Sequence, residues 1–85
     1  MTYKVVIFQA AFKELSKLKR LHKVAISEAI KEIQENPLSG KPLTRELQGK
    51  YSWRVGVYRI IYKVSKKDKI IYIDSAGHRS KIYNQ

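Results

Sequence analysis

Near its end the chain reads HRSKIY at positions 78–83, which places an imidazole (His78), a guanidinium (Arg79), an ammonium (Lys81) and a phenol (Tyr83) close together. Two more guanidinium groups, Arg54 and Arg59, stand in the stretch WRVGVYRI at 53–60. These side-chain types match what RNA cleavage by its own 2′-hydroxyl requires. The 2′-oxygen must lose a proton and attack the adjacent phosphorus, the leaving 5′-oxygen must gain one, and charge building on the phosphate oxygens must be stabilised. An imidazole titrates near neutrality and suits either proton transfer. A phenol beside cations gives up its proton more readily than one in water. A guanidinium fork grips two phosphate oxygens at once. Taken alone, HRSKIY reads equally well as a solvated tail.

Other chemistries find little support. The chain has no cysteine and only two histidines, His22 and His78, far apart in sequence. No spacing suggests a metal site, no Ser-His-Asp set or carboxylate pair stands out, and the four glycines form no phosphate-binding loop. The expectation is therefore no metal and no cofactor.

Eighty-five residues predict a single domain, 1–85, with a modest core. Eighteen lysines and arginines against seven acidic residues give a net charge of +11. Self-repulsion of that size is relieved by a polyanion such as a nucleic acid, an anionic membrane or an acidic protein segment. The plainer alternative is a lysine-rich surface of the kind common at high temperature. No apolar run is long enough to span a membrane, and charges interrupt the N-terminal stretch where a signal peptide needs apolar residues, so a cytoplasmic location is expected.

These side chains need a scaffold. YKVVIF (3–8) is short, apolar and β-branched, and predicts a strand. Phe12, Leu15, Leu18 and Leu21 then recur at a spacing of three, predicting a helix with that stripe toward the core. A second stripe, Ile26, Ala29, Ile30 and Ile33, predicts another helix, with the break near His22 and Lys23. Asn36-Pro37 stops it, because the residue before a proline is driven out of the α region. NPLSGKPL (36–43) is a loop, after which Leu43 and Leu47 dip toward the core.

Three strands follow, at 51–56, 57–64 and 70–76, with a turn at 65–69. The short connections predict antiparallel hairpins. The order β-α-α-β-β-β defines an α+β fold, with two N-terminal helices packed on one face of an antiparallel sheet. Alternation assigns Tyr51, Trp53, Val55, Tyr58, Ile60, Tyr62 and Val64 to the helix face. Ser52, Arg54, Arg59, Ile61 and Lys63 go to the other. Arg54 and Arg59, on adjacent strands, could lie close together across the pair, which costs free energy unless an anion sits between them; the plainer reading is that both are solvated or paired with Glu46 or Asp74. If the last strand ends at residue 76, His78 and Arg79 emerge at the sheet end near that polar face.

The element order, the loop NPLSGKPL, then LQG, WRVGVYRIIY and the ending GHRSKIY together resemble the RelE/ParE toxin superfamily over essentially the whole chain. The resemblance implies a small basic toxin silenced by a co-expressed, acidic, RelB-like antitoxin. RelE-like members cleave mRNA in the ribosomal A site; ParE-like members poison DNA gyrase. By position, Arg59 is the arginine of the family's "YR" strand, His78 and Arg79 are the basic residues after the last strand, and Tyr83 closes the motif. In RelE-like enzymes these positions bind the scissile phosphate and assist proton transfer. Arg54 matches the basic residue before "VG", while Arg45, Lys50 and Lys81 fall where relatives contact RNA. Two positions depart from the pattern. Val57 stands where many relatives have an acidic or amide residue. Lys41 stands where some members carry a glutamate base, which leaves His78 or a water to accept the proton. The resemblance thus implies a metal-independent, ribosome-dependent endoribonuclease with the ribosome, A-site mRNA and an antitoxin as partners. A ParE-like gyrase inhibitor without nuclease chemistry is the alternative.

Overall fold

A computed structural model describes residues 2–78. Its elements in chain order are β1 (Lys4–Ile7), α1 (Gln9–Ser16), α2 (Arg20–Glu35), β2 (Lys41–Pro42), a 3-10 turn (Arg45–Leu47), β3 (Lys50–Val55), β4 (Tyr58–Ser65) and β5 (Ile70–His78). The strands form one five-stranded sheet in the order β1-β5-β4-β3-β2. Two helices on one face of this sheet make the α+β architecture that the sequence predicts. No helix is long and apolar enough to cross a membrane among the described residues.

The sheet departs from the expected one at both edges. β1 runs parallel to β5, with Lys4 opposite Ile70 and Ile7 opposite Ile73. The helix pair carries the chain back over the sheet face between them, as a parallel pairing requires. At the other edge β2 pairs antiparallel with β3, adding a strand within the segment read as loop. The remaining pairs, β3–β4 and β4–β5, are antiparallel as expected.

The helix break falls earlier than predicted. α1 ends at Ser16, and Lys19 is extended at ψ 154° before α2 begins at Arg20. No proline or glycine marks the spot, so nothing local announced it. The core stripe of the first segment is Ala11, Leu15 and Leu18, with Ala11 fully buried and the two leucines packed against the core. Phe12 and Leu21, expected inside, are 63% and 76% exposed. The geometry explains the correction. At 3.6 residues per turn, each three-residue step falls about 60° short of a full turn, so a strict spacing of three drifts off any single face. Within α1 the four-residue step from Ala11 to Leu15 stays on one face, while Leu18 and Leu21 lie beyond its end, outside its helical phase. In α2 the predicted stripe holds, with Ile26, Ala29 and Ile33 buried and Ile30 half-buried.

These residues pack on Ile60, Tyr62, Ile71, Ile73 and Ala76 from β4 and β5. Leu43 and Leu47 are half-buried outside that cluster. The β3–β4 hairpin turns on Gly56 and Val57, with Gly56 at φ +60°, a conformation glycine adopts without steric cost.

Candidate nucleic-acid interface

The β3–β4 register sets the polar face. Arg54 pairs directly with Arg59, and Ser52 with Ile61, so alternation places Ser52, Arg54, Arg59 and Ile61 on the face away from the helices. An Arg59 guanidinium nitrogen donates to Ser52 Oγ at 3.5 Å. Ser52 is buried, Arg59 half-buried and Arg54 exposed. The neighbouring strand β2 contributes Lys41, which lies opposite Ser52. Lys41, Ser52, Arg54 and Arg59 together line an open cleft of about 300 Å³. Among the described residues its lining carries three cationic side chains, one hydroxyl and no carboxylate.

Of the carboxylates named as possible neutralisers, Asp74 is paired with Lys50 and Glu46 is not part of the cleft lining. A bulge near Ile61 and Tyr62 pairs Ile61 with Ser75 and Tyr62 with Ile73, leaving Asp74 as the extra residue in β5. Asp74 accepts a charged hydrogen bond from Lys50, across the intervening strand. Lys50, expected to contact RNA, is thus paired with a carboxylate. Arg45 is exposed in the 3-10 turn at φ +58°, outside the cleft lining. Further along the sheet, the Lys63 ammonium sits 5.5 Å from the Phe8 ring centre, and Phe8 leans on Tyr72 at 5.7 Å.

The structure does not bring His78 to Arg59. β5 runs two residues beyond the predicted end, so Gly77 pairs with Arg59 and His78 with Tyr58. Each added strand residue changes face. His78 therefore shares the helix face with Tyr58, its ring 6.1 Å away in an edge-on contact. Tyr58 also meets His22 from α2, at 4.8 Å. The expectation that His78 emerges near the polar face is corrected accordingly. Arg79, Lys81 and Tyr83 lie outside the described residues.

Lys41 and Ser52 are the cleft members that the sequence reading did not assign. Lys41 was noted only as a departure from a glutamate. A two-residue strand containing a proline gives no periodicity to read.

The fold is thus a small α+β sheet with a basic cleft on the face away from the helices, and comparison with known proteins places it. The family model for the ParE toxin of the type II toxin–antitoxin system parDE matches residues 5–83. The chain belongs to the RelE/ParE superfamily of type II toxins. It is 34% identical to Toxin RelG of Mycobacterium tuberculosis (strain ATCC 25618 / H37Rv), over the full length of both chains. Its fold matches the toxin–antitoxin complex RelBE2 of Mycobacterium tuberculosis with a TM-score of 0.85 at 34% identity, covering 93% of this chain and 100% of that one. It also matches the archaeal RelE–RelB complex of Pyrococcus horikoshii OT3, with a TM-score of 0.77 at 31% identity and coverage of 95% and 99%.

Proposed function

We propose that this toxin is a ribosome-dependent mRNA endonuclease. The observation that carries the reading is the direct Arg54–Arg59 pairing in a cleft that holds Lys41 and, among the described residues, no carboxylate. Cations gathered this way are stabilised by a phosphate, and the charge they present is what developing negative charge on a phosphorane needs.

In the proposed reaction Arg59 grips the non-bridging oxygens of the scissile phosphate, with Arg54 beside it. The 2′-oxygen attacks phosphorus as its proton passes to a water. The bond to the 5′-oxygen breaks, and Tyr83 protonates the leaving group. Arg79 adds a second guanidinium to the phosphate. The products are a 2′,3′-cyclic phosphate and a 5′-hydroxyl. Water is a weak base at neutral pH, so the reaction depends on an RNA already held for in-line attack. The ribosome supplies that positioning, and positioning alone is worth a large part of such a barrier. The net charge of +11 suits contact with ribosomal RNA and with an acidic antitoxin. The archaeal relative's complex of RelE with RelB supports an antitoxin of that type here.

A defined mRNA translated in the presence of wild type, Arg59→Ala and Tyr83→Phe proteins tests this. Wild type is expected to cut within translated codons, leaving the stated ends, while both variants lose cutting and naked RNA stays nearly intact. Equal cleavage of naked and translated RNA would refute ribosome dependence.

Two observations favour a second reading, a ParE-like gyrase inhibitor that acts by binding. The matching family model is that of the ParE toxin, and the imidazole expected beside the phosphate faces the helices instead. This reading predicts inhibition of supercoiling by purified gyrase, with toxicity unaffected by Tyr83→Phe.

A further inference from the structure

The segment that delivers Lys41 to the cleft is held from the opposite side of the sheet. Tyr62 is fully buried on the helix face of β4. Its hydroxyl donates to the Pro37 carbonyl at 2.8 Å, at the start of the crossing from α2 to the sheet edge. Three residues later the chain passes directly over that hydroxyl. A Cβ built on Gly40 would lie 2.3 Å from Tyr62 Oη, 3.1 Å from Tyr62 Cζ and 3.2 Å from the Ser52 carbonyl oxygen. Only a glycine fits between the phenol and the β3 backbone. The next residue is Lys41, opposite Ser52.

β2 has little to hold it in place by itself. It is two residues long, and one of them, Pro42, has no N–H to donate. The backbone bond from Leu43 N–H to the Lys50 carbonyl, at 2.9 Å, fixes its far end. The near end rests on Tyr62. Burial pushes the Tyr62 phenol up to about 12, against the pull of a backbone hydrogen bond from Gly40 and with help from neighbouring Tyr51. It stays a neutral donor throughout the physiological range. Lys41 itself is exposed and enters no ion pair among the described residues.

We propose that Lys41 is a phosphate-binding residue of the cleft, and that Tyr62 is the positioning residue that holds it there by pinning the Pro37–Gly40 crossing. The ligand class is the phosphodiester backbone of single-stranded nucleic acid. The proposal rests on the reading of the cleft as a phosphate site, and its test separates the two.

The probe is a short, fluorescently labelled, single-stranded oligodeoxynucleotide, which lacks the attacking 2′-hydroxyl. Its affinity for the purified toxin is measured across a salt series. Lys41→Ala is expected to weaken binding roughly tenfold at low salt and to flatten the plot of log affinity against log salt by about 0.7, the loss of one phosphate contact on a single strand. Lys41→Arg keeps the charge and is expected to retain the slope. Tyr62→Phe is expected to weaken binding in the wild-type background and to add nothing on top of Lys41→Ala, because it acts through Lys41. Gly40→Ala disturbs the same pin from the other side and is expected to behave likewise. Full additivity of Tyr62→Phe with Lys41→Ala would overturn the positioning role. An unchanged slope in Lys41→Ala, with a reduced one in Arg59→Ala, would overturn the binding role while leaving the phosphate cleft standing. Unchanged slopes in both variants would overturn the cleft reading as well. Lys41→Ala and Lys41→Arg alter an exposed side chain, so folding does not confound those two arms.

Discussion

Arg54 and Arg59 face one another across the β3–β4 pair, two like charges in direct register on the open face of the sheet. Direct cross-strand like-charge pairs destabilise a sheet by a few tenths of a kcal/mol to about 1 kcal/mol. On the proposed reading, a bound phosphate offsets that cost. Stability and binding should therefore move in opposite directions when one partner is removed. Arg54→Ala is expected to raise unfolding free energy by a few tenths of a kcal/mol while weakening affinity for single-stranded nucleic acid. Denaturant unfolding and the salt-series titration measure the two. A variant that is both less stable and fully binding would contradict the site.

The close approach of Gly40 to Tyr62 makes a packing prediction. Gly40→Ala places a methyl group against the Tyr62 hydroxyl and is expected to cost about 1–3 kcal/mol, the usual range for overpacking. Removing that hydroxyl takes away the nearest atom. Gly40→Ala should then cost less in a Tyr62→Phe background than in wild type. A double-mutant cycle by urea unfolding reads this coupling directly.

Tyr62 also sets an alkaline limb. Its folded value, raised to about 12 from the ordinary 10.0, favours the neutral phenol in the folded chain. Unfolded chains release that proton near pH 10, whereas folded ones hold it until about pH 12. The stabilisation is thus fully present below pH 10 and is lost as pH rises through 12. At about 1.4 kcal/mol per unit, it is on the order of 2–3 kcal/mol. The stability advantage of wild type over Tyr62→Phe should shrink by that amount between pH 9.5 and 12. A difference that stays constant across this range would mean the phenol is not desolvated.

The arginine pair was legible because alternation alone sets the faces: Tyr58, Ile60 and Tyr62 inward leaves Arg59 outward, and Trp53 and Val55 inward leaves Arg54 outward, while the turn at Gly56-Val57, read as strand on both sides, sets the direct register. The buried stripe of α2 was legible for a similar reason, since Ile26, Ala29, Ile30 and Ile33 follow the helical period. What failed lacked a local signal. Lys19 breaks the helices without glycine, proline or a capping side chain. β2 is too short to show a period, so Lys41 looked like loop. The bulge that presents Asp74 to Lys50 is a one-residue register shift, invisible to composition. His78 was misplaced because a strand extended by two residues obeys alternation for two more steps.

That last correction separates two mechanisms. An imidazole acting as general base typically contributes about 10²–10⁴ in rate. On the helix face, His78 lies against Tyr58, which also packs on His22. Its expected contribution is to hold the β4–β5 end in place, worth about 0.5–1.5 kcal/mol for such ring contacts. His78→Ala should therefore lower thermal stability and leave cleavage of translated mRNA within about tenfold of wild type, whereas Arg59→Ala abolishes it. His78→Phe keeps a ring against Tyr58 and should restore the stability without an ionisable group. Cleavage assays on all three variants, with melting temperatures measured on the same preparations, give the answer. A His78→Phe protein that melts like wild type yet loses a hundredfold or more in cleavage would return the imidazole to the phosphate.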